Sequence, residues 1–103
     1  MKHTRVAIAA GAAIAAVLAT APAAAQDAGR YLAGNCANCH GTDGVSAGGI
    51  PSLAGLPKAG MVAQLMEFKA GKRPATIMHQ LAKGYTDQQI DTLADFYSKL
   101  PRK

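Results

Sequence analysis

The sequence predicts an all-α protein, and three observations carry that prediction. Between residues 26 and 103 no run alternates apolar and polar side chains at the period of a strand. Apolar residues recur at helical spacing in "KAGMVAQLMEFKA" (58–70) and again at Ile90, Leu93, Ala94, Tyr97 and Leu100. The segment "TDQQ" (86–89) has the form of a capping box, with Thr86 as N-cap and Gln89 three residues on.

The first 25 residues differ from the rest. Lys2, His3 and Arg5 form a short positive head, an uncharged alanine-rich run begins at Val6, and "APAAA" presents small residues at Ala23 and Ala25. This is the layout of a secretory signal peptide cut between Ala25 and Gln26. A retained membrane anchor is the alternative, because Val6 to Ala25 is about long enough to cross a bilayer. Alanine is only weakly apolar, and Pro22 before an Ala-x-Ala site favours cleavage. The expected organisation is therefore a signal peptide, 1–25, and one domain, 26–103, exported to the periplasm and free of the membrane after cleavage.

Export changes the bulk properties. The net charge of +5 falls to +3 once Lys2 and Arg5 leave. The remaining basic residues are scattered and aromatics are few, so nothing resembles a nucleic-acid surface. A chain this short buries little and needs a staple. A disulfide across a four-residue loop would constrain almost nothing.

In chain order, "DAGRYLAGN" (27–35) reads as a short helix with Asp27 as cap and Tyr31 and Leu32 available to pack. It runs into Cys36-Ala-Asn-Cys39-His40, which contains both cysteines of the chain. Residues 41–57, rich in Gly, Ser and Pro, read as a long irregular loop with apolar members Val45, Ile50, Leu53 and Leu56. Loops this long in small domains usually serve function. A helix over 58–70 follows, with Gly71 as its C′ residue. "ATIMHQLAKG" reads as a helix from about Thr76 to Lys83 closed by Gly84, and the final helix spans roughly Asp87 to Leu100, ended by Pro101.

Three chemistries compete for the cysteine pair. A thioredoxin-like redox pair needs a βαβ setting that the chain lacks. A structural zinc site needs four ligands, and Cys36, Cys39, His40 and His79 supply four on paper. Cys-x-x-Cys-His also attaches c-type haem: two thioethers join the porphyrin vinyls and the next residue ligates the iron. Export, the absence of other cysteines and the unstapled small domain favour one covalent haem c on Cys36 and Cys39, with His40 as proximal ligand. A haem against the 41–57 loop would give its apolar residues something to bury on. The Pro51 carbonyl is then a candidate acceptor for the second ring N–H of His40. Pro51 as a mere loop stiffener fits the spacing equally well.

Met61 and Met66 stand at core spacing and read as packing. His79 is expected to face solvent or a haem propionate, with ligation as the rarer alternative. Lys58, Lys69, Lys72, Arg73 and Lys83 form either a solvated surface or a docking ring for an acidic partner. The serines have no histidine and carboxylate at suggestive spacing, so the chain reads as an electron carrier and not an enzyme.

The helix leading into "CANCHG", the "IPSLAG" loop and the terminal "LADFYSKL" together resemble class I cytochromes c across essentially all of residues 26–103. That resemblance implies a small fold of about four helices around one haem. More narrowly, "EFKAGKRPATIMHQLAKGYTDQQIDTLADFY" is similar to the cytochrome subunit of flavocytochrome c sulfide dehydrogenase. The resemblance implies Met78 as the sixth iron ligand opposite His40, and electrons arriving from an FAD-bearing flavoprotein subunit during sulfide oxidation. Many members of that subfamily have two haem domains and this chain has one. Where they often have a small residue after the methionine, it has His79. Two other readings stand beside this one: a freely diffusing carrier to a terminal oxidase or reductase, and, should Met78 not ligate, a five-coordinate haem sensor.

Overall fold

The computed structural model describes residues 21–103. The expected signal segment therefore lies, up to residue 20, outside the described residues. Five α-helices follow: α1 (Ala21–Leu32), α2 (Gly34–His40), α3 (Lys58–Lys69), α4 (Met78–Lys83) and α5 (Asp87–Ser98), with a short 3₁₀ turn at Thr42–Gly44. No strand occurs among the described residues.

The count is five where about four were expected, because the segment before the cysteines is two helices. The chain turns at Ala33 (φ −71°, ψ −10°). Its carbonyl accepts from both Cys36 N and Ala37 N (3.0 and 3.1 Å), so the cysteine motif begins a helix of its own. Asp27 sits inside α1, which starts at Ala21, and caps nothing.

Helices α1 and α5 cross tightly at Gly29. A Cβ there would lie 2.4 Å from Phe96 Cβ, so only glycine allows the approach. Ala33, one turn on, completes the buried face. Tyr31 stands about 200° round the helix from Gly29 and is 86% exposed, not packed as expected. Arg30 lies over the Phe96 ring, 5.5 Å from its centroid, and pairs with Asp43 at 3.3 Å.

Helix α5 is the spine. Its capping box forms as expected: Gln89 N donates to Thr86 Oγ1 (3.1 Å) and Thr86 N to Gln89 Oε1 (2.9 Å), an arrangement that stabilises a helix by about 1 kcal/mol. Ile90, Leu93, Ala94 and Tyr97 are buried and Leu100 is half-buried. Phe96, which falls outside that stripe, is also buried because α1 covers it. The helix stops at Ser98, two residues before the expected end.

Helix α3 starts and ends within a residue of expectation, with Gly71 at φ 73° beyond its C-cap Ala70. Helix α4 begins at Met78, two residues later than Thr76. The buried hydrophobic set is small: Met61, Ile90, Leu93, Phe96 and Tyr97 with four alanines. Much of the remaining apolar side-chain surface turns instead toward one cleft.

Candidate haem site

The cleft has a volume of about 360 Å³, within the range of small-molecule and cofactor sites. One wall is α2. Cys36 and Cys39 lie three residues apart on this helix, hence on one face, with His40 beside them; Cys36 is half-buried and Cys39 exposed. Gly41 (φ 89°) then reverses the chain, where a Cβ would fall 1.8 Å from the Val45 carbonyl oxygen. The reversal brings the 41–57 loop back across the cleft. Its own bonds hold it: Leu53 N and Ala54 N donate to the Gly44 carbonyl (2.8 and 3.0 Å), Ser46 N to Ser52 Oγ (2.9 Å), and Gly55 N to Tyr97 O (2.9 Å).

That path places the Pro51 carbonyl 2.6 Å from His40 Nδ1. A carbonyl only accepts, so Nδ1 carries the proton and Nε2 keeps its lone pair for a metal. This is the arrangement that fixes tautomer and raises ligand basicity. Ile50, Leu53 and Leu56 line the cleft as expected; Val45 does not.

The opposite wall is built from α3, the 71–77 segment and α4. It brings Leu65, Phe68, Ile77, Met78 and Leu81 to the cleft. Met78 opens α4 and is half-buried. Met61 lies in the core at the base of the cleft, and Met66 is not among its lining residues.

The floor contains two phenols. Tyr85 Oη donates to the Leu32 carbonyl (2.8 Å) and accepts from Asn35 Nδ2 (3.5 Å). Burial pushes the Tyr97 phenol up strongly and Tyr85 up as well. Burial also raises the Cys36 thiol, partly offset by hydrogen bonds to Tyr97 and Tyr85.

His79 does not line the cleft. It is half-buried, with Nε2 bonded to the Arg73 carbonyl and its ring 6.2 Å from that of Phe68. It therefore neither faces solvent nor joins Cys36, Cys39 and His40. Among the described residues, no three of His, Cys, Asp and Glu are placed to hold a metal ion. The four-ligand zinc reading loses its geometry.

The basic residues are mostly paired. Lys58 bonds Asp91 (2.9 Å) and reaches Asp95 (3.7 Å), Lys69 bonds Asp87 (2.9 Å), and Arg73 bonds Glu67 (3.2 Å). Of the expected ring, Lys72 and Lys83 are exposed and make no ion pair among the described residues. Tyr85 and Ile77 line the cleft and Ser52 braces its loop, and none of the three was expected from the sequence. The position of Ile77 beside Met78 was the available signal for one of them.

Two thiols, an imidazole oriented by a carbonyl and a methionine thus share the lining of one apolar cleft. The chain belongs to the cytochrome c family, whose model matches residues 26–101. It therefore binds covalent c-type haem, and its donor set fits that group.

The sequence is 40% identical over 78 residues to the cytochrome subunit of sulfide dehydrogenase of Chlorobaculum tepidum, covering 76% of this chain and 71% of that protein. It is 41% identical over 70 residues to the thiosulfate dehydrogenase electron acceptor of Thiomonas intermedia, covering 66% of this chain but 32% of the relative. The fold matches cytochrome c4 of Acidithiobacillus ferrooxidans with a TM-score of 0.67 and 33% identity, over 74% of this chain and 49% of that one. Reduced recombinant cytochrome c4 of Pseudomonas stutzeri matches with a TM-score of 0.68 and 26% identity, over 78% of this chain and 50% of that one. The resemblance to class I cytochromes c stands, and electron transfer is the activity the family supports.

Proposed function

We propose that this chain is a periplasmic monohaem electron carrier whose haem is joined to Cys36 and Cys39 and whose iron is ligated by His40 and Met78. The observation that carries the reading is the convergence of these four side chains on one apolar cleft, with His40 Nδ1 already engaged by Pro51. Bound there, haem iron supplies reversible one-electron redox chemistry. The protein does the rest. Cys36 and Cys39 would fix the group to α2, Pro51 orients the His40 imidazole that would ligate the iron, and Met78 would supply the second protein ligand. Two protein ligands leave no open coordination site, which favours outer-sphere electron transfer over chemistry at the metal. A soft thioether sulfur also favours the reduced iron and raises the potential relative to two nitrogen ligands.

Export is part of the same proposal. The family match begins at residue 26, the first residue after the expected signal cleavage. Among the described residues no helix is long and apolar enough to cross a membrane.

For the partner, the identity to a sulfide dehydrogenase cytochrome subunit supports a flavoprotein donor in sulfide oxidation. The similarity to thiosulfate dehydrogenase electron acceptors supports a second reading, a freely diffusing carrier. Purification from the native source separates them. A flavoprotein subunit should co-elute with FAD, and sulfide should reduce the haem quickly only in its presence. Rapid reduction by sulfide alone, or no flavoprotein association alongside fast exchange with a terminal oxidase, would remove the subunit reading.

A further inference from the structure

Helix α4 has six residues and no side-chain N-cap: Ile77 at that position has φ −124° and contributes only its carbonyl. A helix this short has negligible stability of its own, yet it carries Met78. Contacts to α3 hold it at both ends. At the far end Lys69 Nζ donates to the Tyr85 carbonyl (2.7 Å). At the near end, next to Met78, the holding group is His79.

His79 Nε2 donates to the carbonyl of Arg73, so the ring spans the 73–79 turn and fixes the start of α4. Its ring packs against Phe68 of α3 at 6.2 Å between centroids. The Arg73 guanidinium lies over the Phe68 ring, 5.5 Å from its centroid, and pairs with Glu67. Three short contacts thus tie the turn before Met78 to the end of α3, and Phe68 is itself part of the cleft wall.

We propose that His79 is a positioning residue that acts through Met78: by holding the 73–79 turn against Phe68 and Arg73, it sets how often the methionine leaves the cleft. The proposal rests on Met78 being the sixth ligand. A methionine on an untethered turn would exchange readily with other ligands, and one on a clamped turn would not.

The test uses the haem-loaded protein and measures the rate at which added imidazole displaces the methionine from ferric iron. The variants are His79→Phe, which keeps a ring and removes the donor, His79→Gln, which keeps a donor near the Nε2 position, and His79→Leu, which removes both. Thr86→Ala, which deletes the α5 cap far from the turn, is the control for general destabilisation.

Exchange should quicken about three- to tenfold in Phe, the scale of one lost neutral hydrogen bond, and further in Leu, which also loses the ring contact. It should quicken less in Gln than in Phe and stay at the wild-type rate in Thr86→Ala. If His79→Leu does not accumulate with haem, the Phe and Gln pair decides alone. Wild-type exchange in Phe, equal acceleration in Gln and Phe, or equal acceleration by Thr86→Ala would each overturn the proposal. Failure of the ligand reading itself looks different: Met78→Ala would leave the methionine–iron charge-transfer band intact.

Discussion

The two walls of the cleft are built by opposite means. On the cysteine side, five contiguous residues on one helix bring two thiols and an imidazole together, and one loop carbonyl orients the imidazole. On the methionine side a single thioether stands at the start of a six-residue helix whose placement depends on α3, Phe68, Arg73 and His79. One wall is written locally and would be fixed by covalent bonds. The other is assembled by packing and held by weak contacts. With Met78 as the second ligand, an electron carrier would gain from the difference: the cofactor would be held covalently while one ligand bond stayed tunable by the surrounding protein.

Breaking the cysteine wall should have the largest effect. Cys36→Ala with Cys39→Ala removes the attachment, and without haem the cleft face has nothing to bury against. With Met61, Ile90, Leu93, Phe96 and Tyr97 the only large buried residues among those described, the double variant should be largely unfolded. Circular dichroism should show lost helix and no cooperative thermal transition; a cooperative melt would show that the core suffices alone.

Breaking the methionine wall should alter chemistry more than folding. Met78→Ala should retain covalent haem but lower the reduction potential and let carbon monoxide bind the reduced form. An unchanged potential, read by redox titration, would move the sixth ligand elsewhere.

The α1–α5 crossing lies behind both walls and separates scaffold from site. Gly29→Ala puts a methyl group 2.4 Å from Phe96 Cβ, an overpacking that costs roughly 1–3 kcal/mol. Urea unfolding should shift to lower denaturant while the potential stays within error. A shifted potential would tie the crossing to the cleft.

Pro51→Ala should do least. The acceptor is a backbone carbonyl that alanine also has, so the His40 contact should persist. The cost should be limited to loop entropy, under about 1 kcal/mol. A large fall in potential would mean that the proline ring, and not its carbonyl alone, sets the imidazole.

Legibility in the sequence follows the same division. The cysteine motif, the capping box at Thr86 and the α5 stripe are local patterns, and each appears where the spacing predicts it. Tyr31 and Phe96 were misjudged because their burial depends on how α1 and α5 meet, which Gly29 decides through a contact 67 residues away in sequence. His79 was misjudged for a similar reason. Its neighbours Phe68 and Arg73 lie on another helix and on the connecting turn, and no periodicity places them together. The break at Ala33 falls beside Gly34, a stop signal that lies inside the segment expected to be one helix.

The measurement that bears most directly on the account is the methionine–iron charge-transfer band of the ferric protein across a methionine series. The chain has four methionines, of which Met1 lies in the expected signal segment. The band should survive Met61→Leu and Met66→Leu and vanish in Met78→Leu, with covalent haem retained in all three. Loss in Met61→Leu or Met66→Leu, or persistence in Met78→Leu, would contradict the assignment of the cleft's second wall.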